Sequence, residues 1–270
     1  MTGFRALLTC LAVLSAAPAI AASSAWYETE GGRVRLVLLP ERADGSIPAL
    51  LDIRLEPGWK TYWRDPGQSG IPPTISFPGA SGLTLESIRF PVPKHFDDGF
   101  SRYTGYDRSV ALPLMLKRNG AGSAATLVSA SVFLGVCKDI CIPVQADLSV
   151  DMQAGATAEA NEAAELAAAE AALPEPPSAD FMVTGAHWSD DGKSLHVTFT
   201  APGAAPPQVF VSGPAGFQFG SGTTPARSGD AYRVEVPLLQ KPKAASLSGA
   251  AILFTAESGG RAMETPLAID

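Results

Sequence analysis

Cys137 and Cys141 stand three residues apart in Val136-Cys137-Lys138-Asp139-Ile140-Cys141-Ile142-Pro143. Two thiols so spaced can close a disulfide or exchange one. A disulfide needs Cα atoms roughly 4.4–6.8 Å apart, whereas four residues of extended strand span about 13 Å, so the chain must turn between them. The flanks 126–136 and 142–150 have strand composition, and Pro143 disfavours a helix. The spacing therefore predicts a hairpin with Lys138-Asp139-Ile140 at its tip and the cysteines opposite each other. A loop this short stabilises by only about 2 kcal/mol as a staple. A redox pair and a structural bridge both fit the spacing. The usual acidifying device, Cys-x-x-Cys at a helix N-terminus, is absent; Lys138 favours a thiolate and Asp139 opposes it.

A second candidate lies upstream. Phe96-Asp97-Asp98-Gly99-Phe100-Ser101-Arg102-Tyr103-Thr104-Gly105-Tyr106 gathers four aromatics and two acids in eleven residues. It reads either as a loop with core anchors or as a flap that covers the thiols with a ring and brings carboxylates near. Gly99 and Gly105 would be its hinges.

The elements that must hold these residues are mostly strands. Runs at 33–39, 50–55, 110–116, 126–136 and 142–150 carry strand composition or alternation, and Gly/Pro turn clusters separate them. Short strands punctuated in this way fit a sandwich. At Ala156 the composition changes. Residues 157–173 are Ala and Glu without Gly or Pro, a helix by propensity with a thin stripe of Leu166 and Leu173, expected on the surface as a spacer. Pro174 to Ser178 then reads as a stiff linker. Strand signals return at 194–200, 208–212, 232–236 and 251–256. The expected organisation is all-β: residues 23–153 a sandwich holding the cysteine pair, 154–179 a helical linker, and 180–270 a second, smaller β domain.

The N-terminus sets the compartment. Arg5, a short apolar run and Ala19-Ile20-Ala21 form a signal peptide over residues 1–22, cut close to Ala22. The apolar run is shorter than the roughly 20 residues a membrane span needs, and no later stretch supplies one. An exported, periplasmic chain without a membrane span is expected, and in an oxidising compartment neighbouring cysteines are usually paired. With 20 Lys+Arg against 27 Asp+Glu, net −7 and no basic run, nucleic acid is a poor partner. Hydrophobic residues at 46% exclude global disorder, and 26 Gly with 23 Pro argue against a helical bundle. No Gly-x-Ser-x-Gly or histidine motif supports hydrolysis.

Three segments together resemble the N-terminal domain of the thiol:disulfide interchange protein DsbD, in its ScsB-like, copper-tolerance branch. They are Gly58-Trp59-Lys60-Thr61-Tyr62-Trp63-Arg64-Asp65-Pro66-Gly67, the Phe96–Tyr106 loop running into Ala111-Leu112-Pro113-Leu114, and Gly135 to Pro143. The resemblance covers roughly residues 26–151. It implies an immunoglobulin-like sandwich whose pair, Cys137 and Cys141, receives electrons and passes them to exported proteins. It further implies Phe100 as an aromatic cap, Asp98 as a nearby acid, and Tyr62 and Tyr103 as lining. The partners implied are thioredoxin-like periplasmic proteins and a separate membrane electron donor, with no cofactor.

Two other readings are carried alongside. Two thiolates can hold Cu(I), although Met115, Met152, Met182 and Met263 are scattered and His95, His187 and His196 show no ligand spacing. A non-catalytic interaction module with a purely structural disulfide is the third.

Overall fold

A computed structural model of the chain describes residues 22–67, 70–97, 99, 102–119, 126–152 and 162–269. The expected signal peptide, apart from Ala22, lies outside the described residues. The fold is all-β, with one short α-helix between two β units.

The first unit is a sandwich of two antiparallel sheets. One runs in the order Ala22–Ser23, Gly32–Leu38, Ser46–Leu55, Val110–Arg118, Leu83–Ile88, with Tyr27–Thr29 also paired to Gly32–Leu38. The other runs Cys141–Asp151, Leu127–Cys137, Lys60–Tyr62, Arg102–Tyr106, Lys94–Asp97, with Thr74–Ser76 also paired to Leu127–Cys137. Leu36, Leu51, Ile53, Leu112 and Leu114 of the first sheet share one core with Val132, Leu134, Ala146 and Leu148 of the second. Along Cys141–Asp151 the burial alternates strictly, with Val144, Ala146, Leu148 and Val150 inside. That is the pattern of a sheet with one wet face.

Gly32–Leu38 and Ser46–Leu55 are instead buried on both faces, which their apolar runs require. The helical linker supplies the second cover. It is a single helix, Glu162–Ala171, whose Leu166 and Ala169 pack on Val37 and Leu50. Arg35 lies under it, bonded to Glu165 at 2.7 Å and to Asp52 at 3.4 Å. Beyond spacing the two β units, the helix thus closes the outer face of the sandwich. Leu173, expected on its stripe, lies past its last turn.

The second unit pairs Met182–Trp188, Ser194–Thr200, Ala231–Gln240 and Gln218–Phe219 in one sheet, with Ala226–Ser228 added to Ala231–Gln240. A three-stranded sheet, Gln208–Ser212, Leu253–Ser258 and Arg261–Pro266, completes it. Phe181, Val197, Phe199, Val236, Phe254 and Met263 form its core. The linker is not loose: the N–H of Glu175 bonds Ala262 O at 2.8 Å, and the Glu175 carboxylate accepts from Arg261.

Candidate functional site

The hairpin expected from the cysteine spacing forms. Leu127–Cys137 and Cys141–Asp151 pair without a break, and Cys137 opposite Cys141 is their last registered pair. A disulfide joins them, with Cα atoms 4.1 Å apart. Lys138, Asp139 and Ile140 make the exposed tip, where Ile140 is 75% exposed. Because Cys141–Asp151 is an edge strand, the disulfide sits at one end of an open sheet edge.

The two sulfurs are not equivalent. Cys137 is 9% exposed and packs with Tyr62 and Tyr103, flanked by Ile71 and Phe96. Cys141 is exposed. The Tyr62 hydroxyl lies 3.0 Å from Cys141 Sγ, and since a disulfide sulfur carries no proton, the hydroxyl donates.

Local structure fixes this arrangement. Lys60 is registered opposite Cys137 and Thr61 opposite Val136. The Thr61 hydroxyl bonds Gly135 O at 2.8 Å, tying Lys60–Tyr62 to the hairpin just below the disulfide. Gly135 is glycine for a steric reason: a Cβ there would lie 2.7 Å from the Tyr62 ring and 2.9 Å from Ile71. The aromatics brace one another. Tyr62 and Tyr103 meet edge to face at 5.6 Å, Phe96 stacks on Tyr103 at 5.1 Å, and the Lys60 ammonium lies 5.0 Å from the Phe96 ring. Lys138 folds back over Gly58. Two lysines therefore flank the disulfide, with Asp139 on the tip.

The upstream segment differs from the expected flap. Lys94–Asp97 and Arg102–Tyr106 are paired strands, with Phe96 opposite Tyr103 and Asp97 opposite Arg102. Gly105 is therefore no loop hinge. It pairs with Tyr62, and a Cβ on it would collide with Thr61 O. Gly99 does carry a positive φ of 83°, with its N–H bonded to Asp97. Asp98 and Phe100, the expected acid and cap, lie outside the described residues. Of the expected lining, Tyr62 and Tyr103 come together at Cys137; Phe96, expected only as part of the aromatic segment, and Lys60, expected in no role at the site, join them. Phe96 sits in a strand of four residues, too short for alternation to show which side it faces.

The histidines are also rearranged. His187 and His196 stand opposite each other on neighbouring strands and stack at 5.1 Å, a pairing that sequence spacing conceals. Among the described residues no group of three His, Cys, Asp or Glu side chains is placed to hold a metal ion. No helix among them is long and apolar enough to cross a membrane.

Chemically, the arrangement offers a disulfide between a buried and an exposed cysteine, an aromatic backing and a hydroxyl aimed at the sulfur of the exposed one. Residues 36–152 match the family model for the N-terminal domain of thiol:disulfide interchange protein DsbD. Residues 172–270 match a domain family of unknown function. The crystal structure of the N-terminal periplasmic domain of ScsB from Proteus mirabilis superposes with a TM-score of 0.72 at 23% identity, covering 92% of this chain and 98% of that one. The two β units and the helix between them are thus one shared architecture. A marsupial T cell receptor also matches, at a TM-score of 0.21 and 8% identity. No curated relative matches the chain.

Proposed function

We propose that this chain, whose residues 36–152 form a domain of the DsbD N-terminal family, is a periplasmic thiol:disulfide interchange module working through Cys137 and Cys141. The observation that carries the reading is the asymmetry of the pair: Cys141 is exposed and hydrogen-bonded by Tyr62, while Cys137 is backed by the aromatic cluster. We read residues 23–153 as the exchanging domain, 154–179 as the linker and 180–270 as the second domain.

The chemistry follows from access. Exchange proceeds by in-line attack of a thiolate on a disulfide sulfur. A donor thiolate reaches Cys141 Sγ, forms a mixed disulfide with it, and expels Cys137 as thiolate. The donor's second thiolate then attacks its own sulfur of that mixed disulfide. Cys141 leaves as thiolate, the donor is oxidised to its disulfide, and two electrons have moved. The same steps in reverse reduce the disulfide of an exported acceptor. The Tyr62 hydroxyl stabilises Cys141 whenever it carries charge, since hydrogen bonds to ionised groups contribute about 1.5–3 kcal/mol. The donor is a membrane or thioredoxin-like dithiol, and thiol exchange runs on the cysteines alone.

The test is the reduction potential of the pair, from equilibration with a thiol couple and alkylation. A potential above about −300 mV is expected of an exchanging pair, and one well below it marks a structural staple. Reduction by a thioredoxin-like protein faster than by dithiothreitol at equal thiol concentration supports the same reading.

A further inference from the structure

We infer that the C-terminal β unit, which matches a family of unknown function, is a positioning element for the cysteine site and acts through Phe210. The inference rests on the exchange reading above and adds a role for the second unit.

Strand Gln208–Ser212 faces two ways. Val209 and Val211 belong to the core of their own unit. Phe210 between them points the other way, as strand alternation requires, and is 2% exposed inside the core of the sandwich. It meets Trp63 edge-on at 5.9 Å and stacks on His95 at 4.4 Å. His95 Nε2 lies 3.1 Å from Val209 O and therefore donates to it; Nδ1 then accepts from the Thr104 hydroxyl at 3.3 Å. Arg64 bonds Glu264 at 2.9 Å, and Thr255 holds that carboxylate at 2.8 Å.

Trp63 and His95, which Phe210 touches, and Thr104, which His95 holds, are each the chain neighbour of a residue lining the disulfide. Trp63 follows Tyr62, His95 precedes Phe96, and Thr104 follows Tyr103. Successive strand residues face opposite sides, so the second unit holds one side of these strands while Tyr62, Phe96 and Tyr103 present the other to Cys137. Lys94–Asp97 is the far edge strand of its sheet, paired on one side only. Without Phe210 the strand would keep its hairpin partner and the His95–Val209 hydrogen bond but lose the ring stacked on His95. Aromatic packing over Cys137 would loosen, and small thiols would gain Cys137 as a second point of attack besides the exposed Cys141.

The test uses the full mature chain. Phe210→Ala should speed reduction of the disulfide by dithiothreitol by about tenfold, a small part of what truncating a buried Phe withdraws. Phe210→Leu should fall between the two. Val236→Ala, a cut in the core of the C-terminal unit away from the interface, should leave the rate within about twofold of wild type, which a purely destabilising effect would not. Should Phe210→Ala fail to fold, Glu264→Gln removes the charge and one of the two acceptors that Arg64 meets, without opening a cavity, and should also raise the rate. Wild-type rates for Phe210→Ala or Phe210→Leu together with Glu264→Gln would overturn the inference. Failure of the exchange reading looks different: a wild-type potential far below about −300 mV, whatever the variants do to the rate.

Discussion

Tyr62 touches both cysteines in different ways: its hydroxyl reaches Cys141 Sγ at 3.0 Å, while its ring is packed in the cluster that buries Cys137. One side chain thus separates the two sulfurs chemically. Tyr62→Phe keeps the ring and deletes the bond. Stability should change little, while the Cys141 thiol should ionise less readily in the reduced protein. Loss of about 1.4 kcal/mol from the reduced form would make the potential more negative by about 30 mV. Thiol titration of the reduced variant and its potential check this; values equal to wild type would remove Tyr62 from the chemistry.

The disulfide closes a tip already held by the strand ladder, so it should contribute little to the fold. Cys137→Ser with Cys141→Ser should lower stability by about 2 kcal/mol and Tm by a few degrees. Circular dichroism should be unchanged. Collapse of the double variant, or of the wild type on reduction, would make the disulfide a staple.

Ile140 lies beside the exposed sulfur with three quarters of its surface in water. A macromolecular donor must cover it to reach Cys141; dithiothreitol need not. Ile140→Asp should slow reduction by a thioredoxin-like protein by about tenfold, a typical loss for a buried interface anchor, and leave the dithiothreitol rate near wild type. Equal slowing of both reactions would argue that the tip controls the disulfide itself rather than docking.

Burial pushes the Asp65 carboxyl up to about 6, even with the Gly67 and Phe219 N–H groups favouring its charge. A folded value above the unfolded one means stability that is present at low pH and lost as pH rises through about 6. His95 works oppositely. Burial lowers its value, so its contribution is present above the ordinary histidine range and fades as pH falls through it. Asp44, Asp107, Asp180 and Asp191 are shifted downward and titrate below this window. Asp65→Asn should therefore stabilise the chain at pH 8, by up to roughly 3 kcal/mol, with a gain that shrinks toward pH 5. Thermal melts at the two pH values would show it. Parallel pH profiles for wild type and variant would rule Asp65 out as the source.

The long strands were legible because composition and alternation persist over many residues, as in Leu127–Cys137 and Ser194–Thr200. The cysteine hairpin was legible because bond geometry leaves four residues few options. Lys60–Tyr62 and Lys94–Asp97 were not, since three or four residues cannot establish a period. Gly105 misled for a physical reason: in a sequence it signals a turn, yet here it makes room for Thr61 O inside a sheet. The docked helix was hidden because its partners, Val37 and Leu50, supply the bulk that its own stripe of Leu166 and Ala169 lacks. Nothing local could place Phe210 in the core of the other unit. The centre of its strand, Val209-Phe210-Val211, is apolar on both faces, and only tertiary structure decides which side faces which core.

The register of the cysteine hairpin has a consequence for how the oxidised and reduced proteins differ. Val136 and Ile142 pair directly beneath the disulfide, and Thr61 is anchored to Gly135 one step further down. Breaking the sulfur bond therefore leaves the ladder from Val136 and Ile142 downward in place, and the Lys138 N–H still bonds Ile140 O across the tip. On the proposed exchange function, both redox states would then present the same outline to a visiting protein, and a partner that has finished its exchange would not be pushed away by a moving backbone. Departure has to come from chemistry at the sulfurs: once the mixed disulfide is resolved, no covalent bond holds the partner, and the shallow contact around the tip is all that remains to be broken.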